Sequence, residues 1–174
     1  MFILYRVLWA SIAATLLCAP ITASEVRRVV TGTGADNKSS IMFDSRIALT
    51  PAPNDLKMTH LWVTDTFPLS ASDSDTRDKS LGVSPPEHGT QFGIVEFPPF
   101  DHAHAAEPLW HRTRTVDYVV VLSGEIDLML DDNVVHLSAG DTVVQQAANH
   151  AWVNRGSEPC RLLFVLMDAK APKG

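Results

Sequence analysis

Cysteine is nearly missing from this chain, with two in 174 residues, and only Cys160 lies outside the amino-terminal apolar segment. A disulfide framework is therefore excluded for the chain that remains once that segment is removed. Glycine and proline number 9 and 11, too few for a collagen-like or low-complexity chain. Basic residues are outnumbered, 14 Lys and Arg against 20 Asp and Glu. That balance argues against a nucleic-acid binder held by phosphate neutralisation. There is no GxSxG elbow, no phosphate-cradling glycine loop and no CxxC pair. Sustained 3.6-residue periodicity and internal repeats are also absent. What is present, 45% hydrophobic and 20% charged residues, reads as one ordinary domain able to bury its own core.

The amino terminus has its own logic. Arg6 precedes an apolar run from Val7 to Ala19, followed by Pro20 and the small residues Thr22, Ala23 and Ser24. A basic residue, a short apolar stretch and a small-residue exit describe a secretory signal peptide over 1–23, cleaved after Ala23. The expectation is export, periplasmic or secreted, with no stable membrane insertion afterwards. The alternative is an amino-terminal membrane anchor, because Phe2 to Tyr5 lengthen the apolar stretch. Cleavage would remove Cys18. Cys160, just before an apolar strand-like run, reads as a buried, inert thiol.

From Val26 onward the chain alternates short extended runs with turn residues. Arg27 to Thr31, Ile41 to Phe43 and Met58 to Thr64 read as strands, with a loop over Thr50 to Asp55. Residues 65–89 are a long polar stretch, read as a flap. Gln91 to Phe97, Trp110 to Thr115, Asp117 to Leu122 and Glu125 to Leu130 follow. Asp131-Asp132-Asn133 then turns the chain into Val134 to Leu137, and Ser138 to Asp141 leads to Thr142 to Gln146. Ala151 to Asn154 and Arg161 to Met167 complete a set that predicts an all-β sandwich or jelly-roll β-barrel. The expected organisation is 24–90 as amino-terminal strands and flap packing on the barrel, 91–169 as the barrel, and 170–174 as a tail.

Histidine carries the chemistry. His60, His88 and His136 stand alone, whereas His102, His104, His111 and His150 share the well-patterned half with Asp117. Strand side chains alternate faces, so His111, Thr113 and Asp117 share parity, as do His150 and Asn154. Two imidazoles and a carboxylate converging inside a barrel would suit a divalent transition metal with open positions.

The stretch His111 to Gly124 (HRTRTVDYVVVLSG) resembles the first motif of the cupin superfamily, His-x-His, three or four residues, Glu, six residues, Gly. Here His111 opens the motif, Thr113 stands in the second histidine position and Asp117 in the glutamate position. Gly140 to Asn154 (GDTVVQQAANHAWVN) resembles the second motif through Gly140, Asp141, His150 and Asn154. The usual Pro-x-Gly is replaced and the spacing is one residue shorter. The resemblance covers residues 91 to 169. It implies a single-domain cupin, an interior small-molecule site and a homodimer.

For function the expectation is a metal-dependent enzyme acting on a small organic molecule, with His111, Asp117 and His150 holding one Fe, Mn, Zn, Ni or Co ion. The reaction is left open among oxygenation, isomerisation, dehydration and decarboxylation. The alternative is a non-catalytic, metal-free cupin that binds a small ligand, since Asp is shorter than Glu and Thr113 replaces a histidine. Substrate-contact candidates are Thr113, Arg114, Gln146 and Trp152, with Tyr118 and Gln145 also weighed. His102 and His104, in a loop between Pro98-Pro99 and Pro108, are candidates for the pocket rim or for supplementary ligands.

Overall fold

The computed structural model describes residues 25–34, 37–79, 82–101 and 107–170. The signal-peptide segment, His102 and His104 lie outside these described residues. Within them the protein is all-β, with no helix. The strands are β1 (Glu25–Thr33), β2 (Ser39–Ala48), β3 (Thr50–Pro51), β4 (Lys57–Thr64), β5 (Thr90–Phe97) and β6 (Thr115–Ser123). They continue with β7 (Glu125–Leu130), β8 (Val134–Ser138), β9 (Thr142–Gln146), β10 (His150–Val153) and β11 (Cys160–Asp168). Two expectations shift. Thr50 and Pro51, assigned to a loop, add a two-residue edge strand beside β4. Residues 110–114 form no strand, only an isolated bridge at His111.

Three antiparallel sheets result. A six-stranded sheet has the order β3-β4-β5-β11-β6-β9, a three-stranded sheet β10-β7-β8, and β1 pairs with β2 alone. The alternation of β6 shows why the larger sheets face each other. Thr115, Asp117, Val119 and Val121 are buried on one face, while Tyr118 and Leu122 are exposed on the other. Val119 and Val121 meet Ile126 and Leu128 of β7, Leu137 of β8, and Cys160, Leu162 and Phe164 of β11 in the main core. Burying each such aliphatic or aromatic side chain contributes about 1.5–3 kcal/mol. Cys160 is fully buried there, and burial pushes its thiol up to about 11, so it packs as an apolar group. Gly124 turns the chain from β6 into β7 at φ +76, and a Cβ there would lie 2.8 Å from the Pro159 carbonyl oxygen.

The amino-terminal strands cover the opposite face of the six-stranded sheet. Ile47 and Leu49 pack on Leu61 and Ile94, with Val26, Phe92 and Leu163 around them. Arg28 of β1 is buried, donating to the Leu61 carbonyl at 3.0 Å and forming a two-pronged pair with Asp75. Asp75 belongs to the 65–89 segment, which forms no strand among its described residues. The Thr76 hydroxyl accepts from the Val63 N–H at 3.2 Å, and Lys79 pairs with Asp65. The segment is thereby tied to the sheet at its middle.

Candidate functional site

Two backbone features bring the histidines together. His111 and His150 exchange both main-chain hydrogen bonds, at 2.9 and 3.0 Å, as opposed residues of an antiparallel bridge. Their rings consequently lie with centroids 4.1 Å apart and planes tilted by 54°. In the six-stranded sheet, Asp117 of β6 is paired directly with Gln145 of β9, so both side chains leave the same face. Trp152 sits two residues beyond His150 on β10 and meets its ring edge-on, with centroids 6.1 Å apart.

Hydrogen bonding sets the ring orientations. The Nδ1 atom of His150 lies 3.0 Å from the Ala148 carbonyl, and that of His111 lies 3.1 Å from the Leu109 carbonyl. A carbonyl can only accept, so at His111 Nδ1 carries the proton and Nε2 keeps its lone pair; at His150 the Ala148 carbonyl shares Nδ1 with the Gln145 amide nitrogen, 2.8 Å away. The His111 contact is the arrangement by which a carbonyl fixes the tautomer of a ligating histidine. Burial pushes His150 down to about 4, reinforced by nearby His111 and partly offset by the Ala148 bond. Burial also raises Asp117 above the ordinary carboxylate value, against hydrogen bonds from Thr115 and Gln145 and the charge of His111. Gln145 Nε2 donates to Asp117 Oδ2 at 3.3 Å and lies 2.8 Å from Nδ1 and 3.0 Å from Nε2 of His150, at the edge of the ring. Asp117 Oδ1 and Gln145 Oε1 are buried with no hydrogen-bond partner. Each orphaned acceptor costs about 1–3 kcal/mol.

These groups line a cavity of about 390 Å³. Its walls are mainly apolar, from Val95, Phe97, Val119, Leu162, Phe164 and Leu166 of the barrel strands. Ala52, Pro53 and Leu56 before β4 and Gly82 and Val83 of the 65–89 segment close it further. The volume falls within the range of small-molecule sites. An adjoining cleft of about 430 Å³ shares Leu56, Phe97, Leu109, His111 and Trp152 with it, and is also lined by Asp55, Asp101 and Glu107.

The expected site residues fall into three groups. His111, Thr113, Asp117, His150 and Trp152 line the cavity together. Thr113, in the second histidine position, shares a 2.7 Å hydroxyl contact with Thr115. Among the described residues, however, no group of three or more His, Cys, Asp or Glu side chains is arranged to hold an ion. The donors of the expected triad reach one cavity without closing on a common point, because the Gln145 amide bonds both Asp117 and His150. Arg114 and Gln146, expected at the substrate, are corrected to the exterior. Both are exposed, and Arg114 lies 3.8 Å from Asp168. The reason is parity: Gln145, not Gln146, shares a row with Asp117, and Arg114 lies one residue out of step with Thr113 and Thr115. Asn154 is buried and structural, donating to the Phe97 and Glu158 carbonyls at 3.0 and 2.8 Å. Gln91 and His60 were given no role by sequence reasoning. Gln91 lines the cavity and bonds His60, and the available signal was a polar residue in the inward register of an apolar strand.

A small jelly roll with paired histidines, an inward carboxylate and an interior apolar cavity defines the cupin type of β-barrel protein. Comparison with known proteins agrees. Residues 93–166 match the cupin domain family, which supports a place in the cupin superfamily. Among solved structures, the cupin domain of Cnp3 from Schizosaccharomyces pombe aligns with a TM-score of 0.51 at 13% identity, over 82% of this chain and 87% of that one. The likeness is one of fold. Phomopsin biosynthesis cluster protein C' of Diaporthe leptostromiformis is 43% identical over 51% of this chain and 45% of its own length. The cupin-domain-containing oxidoreductase srdD of Neurospora crassa is 32% identical over 63% of this chain and 57% of its own. The chain thus spans about half the length of the curated relatives it matches.

Proposed function

We propose that this protein is an exported small-molecule enzyme of the cupin type, acting in the 390 Å³ cavity with a divalent transition metal held by His111, His150 and Asp117. One observation carries the reading. Two touching imidazoles, each with Nδ1 beside a carbonyl, line one cavity with Asp117, whose Oδ1 has no hydrogen-bond partner. This donor set fits a cation chemically: three acceptors, and a side-chain N–H of Gln145 as the one donor that bridges two of them. Turning that amide away would release Asp117 and His150 toward an ion. When bound, the metal would supply Lewis-acid or redox chemistry. The apolar walls exclude water, and Trp152 gives an aromatic face against which a substrate can lie. Relatives named as oxidoreductases and as biosynthesis-cluster proteins support redox or related chemistry on a small organic molecule. Export and pairing as a homodimer belong to the same reading, supported by the 1–23 segment and the family resemblance.

The test is metal binding itself. Protein freed of metal and titrated with Co(II) should develop visible ligand-field absorption saturating near one ion per chain, and His150→Ala should lose it. Equal Co(II) uptake by wild type and His150→Ala would overturn the metal reading. The second reading, a metal-free ligand-binding module, draws on a specific feature. The hydroxyl of Thr113 is engaged with Thr115, and the Gln145 amide already occupies both Asp117 and His150. It expects a melting temperature indifferent to chelator and raised by ligand.

A further inference from the structure

The cavity has a second polar point, away from the histidines. Gln91 of β5 is 2% exposed and lines the cavity wall. Its amide nitrogen is hydrogen-bonded to Nε2 of His60, while its Oε1 is buried with no partner. Burial favours the neutral form of His60, whose ring nitrogen can then accept the amide N–H. That bond fixes the amide and leaves the carbonyl oxygen as the free atom. Gly93, two residues along, carries no side chain, and a Cβ there would lie 2.5 Å from the Phe164 ring and 2.7 Å from the Thr59 carbonyl. The Phe164 ring fills that place and forms an apolar wall beside Gln91.

Sheet register relates this point to the proposed reaction centre. Leu166 of β11 is paired with Gln91 on one side and with Asp117 on the other, and Asp117 is paired with Gln145. Gln91, Leu166, Asp117 and Gln145 therefore form one inward row across four adjacent strands. Neighbouring strands lie about 4.8 Å apart, so Gln91 and Asp117 are anchored about 10 Å from each other with an apolar residue between them. Filling a cavity wall does not require an amide; leucine or methionine would do it without an orphaned acceptor.

We propose that Gln91 is a specificity-determining residue, whose Oε1 accepts a hydrogen bond from a hydroxyl or N–H group on an otherwise apolar ligand spanning the cavity. The ligand class is thus a small, largely apolar molecule with a donor group remote from the end that meets His111 and His150. This inference rests on the reading of the cavity as a small-molecule site, and the experiment separates the two.

The probes are 2-naphthol and 2-methylnaphthalene, matched in shape and differing in a donor hydroxyl. Binding to the full-length protein is followed by calorimetry and by thermal shift. Wild type should bind 2-naphthol about five to ten times more tightly, the worth of one hydrogen bond to a buried acceptor. In Gln91→Leu and Gln91→Met that preference should vanish while 2-methylnaphthalene binds at least as well as before. Preference retained in both variants overturns the role of Gln91 but leaves the cavity reading intact. Failure of both probes to bind wild type overturns both. The unliganded variants lose one orphaned acceptor but also leave His60 Nε2 without the amide N–H, so the preference is read against His60→Phe, which keeps Gln91 and should retain it. Loss of the preference in His60→Phe as well as in the Gln91 variants would overturn the assignment of the acceptor to Gln91.

Discussion

Glu96 and Asp117 are equally buried, each 5% exposed, on opposite faces of the same six-stranded sheet. On the outer face, Glu96 receives Lys57 at 3.0 Å and Arg161 at 2.8 Å, from the strands on either side of it. On the inner face, Asp117 has the Gln145 amide at 3.3 Å, while its Oδ1 has no partner. Burial pushes both carboxyls up, but the two cations more than reverse that at Glu96 and hold it below the ordinary range. The same desolvation thus ends in opposite electrostatics. Glu96 has both carboxylate oxygens paired, in an ion cluster that joins three strands. Asp117 is left with unsatisfied capacity in a cavity, where a ligand can use it.

Removing one partner from each cluster should break the comparison open. Glu96→Gln leaves Arg161, 17% exposed, without its counter-ion, whereas half-exposed Lys57 can turn to solvent. The expected loss is about 2–3 kcal/mol, below the full penalty for a completely buried pair. In a chain of this size that lowers the melting temperature by about 4–12 °C. Thermal and urea unfolding measure it, and a loss under about 0.5 kcal/mol would demote the cluster to a surface pair.

Acid sensitivity sharpens the same contrast. The folded-state pKa of Glu96 lies below its ordinary value of 4.5, so its stabilisation is full above that value. As pH falls below 4.5 and through the lower folded value, the folded state must take up a proton that the unfolded chain already carries, and the stabilisation is lost. Unfolding free energies measured from pH 6 to pH 3 should fall less steeply in Glu96→Gln than in wild type. Parallel curves would show that Glu96 does not report on this range.

How much of this was legible beforehand follows the same division. The strands of the carboxy-terminal half announced themselves because turn chemistry separates them, as with Asp131-Asp132-Asn133 between β7 and β8. Parity within β6 places Asp117 inward, and parity within β10 does the same for His150 and Trp152. Parity between strands is another matter. Choosing Gln145 over Gln146 needed the β6–β9 register, and register is set by turn and core geometry outside either strand. Gln91 was legible only as a polar residue within an apolar strand. Its meaning lies in a row across β5, β11, β6 and β9, which no linear spacing encodes. The two motifs pair His111 with His150, but the main-chain bridge that joins them links a segment without regular structure to a strand, and no spacing shows it.

The smallest expected change is at Asp117. Asparagine has nearly the same shape, and its amide can still accept from Gln145, so Asp117→Asn removes a buried charge while sparing one hydrogen bond. In chelator-treated protein, unfolding should be unchanged or up to about 1 kcal/mol more favourable to the folded state, since replacing a poorly compensated buried ion is often neutral or stabilising. The same variant should lose Co(II) absorption, because a neutral amide is a weaker ligand than a carboxylate. Stability kept and metal lost would mark a carboxylate retained for its ligand. A loss of about 2 kcal/mol or more without metal would instead make Asp117 a structural acceptor like Glu96, and the two faces of the sheet would no longer differ in kind.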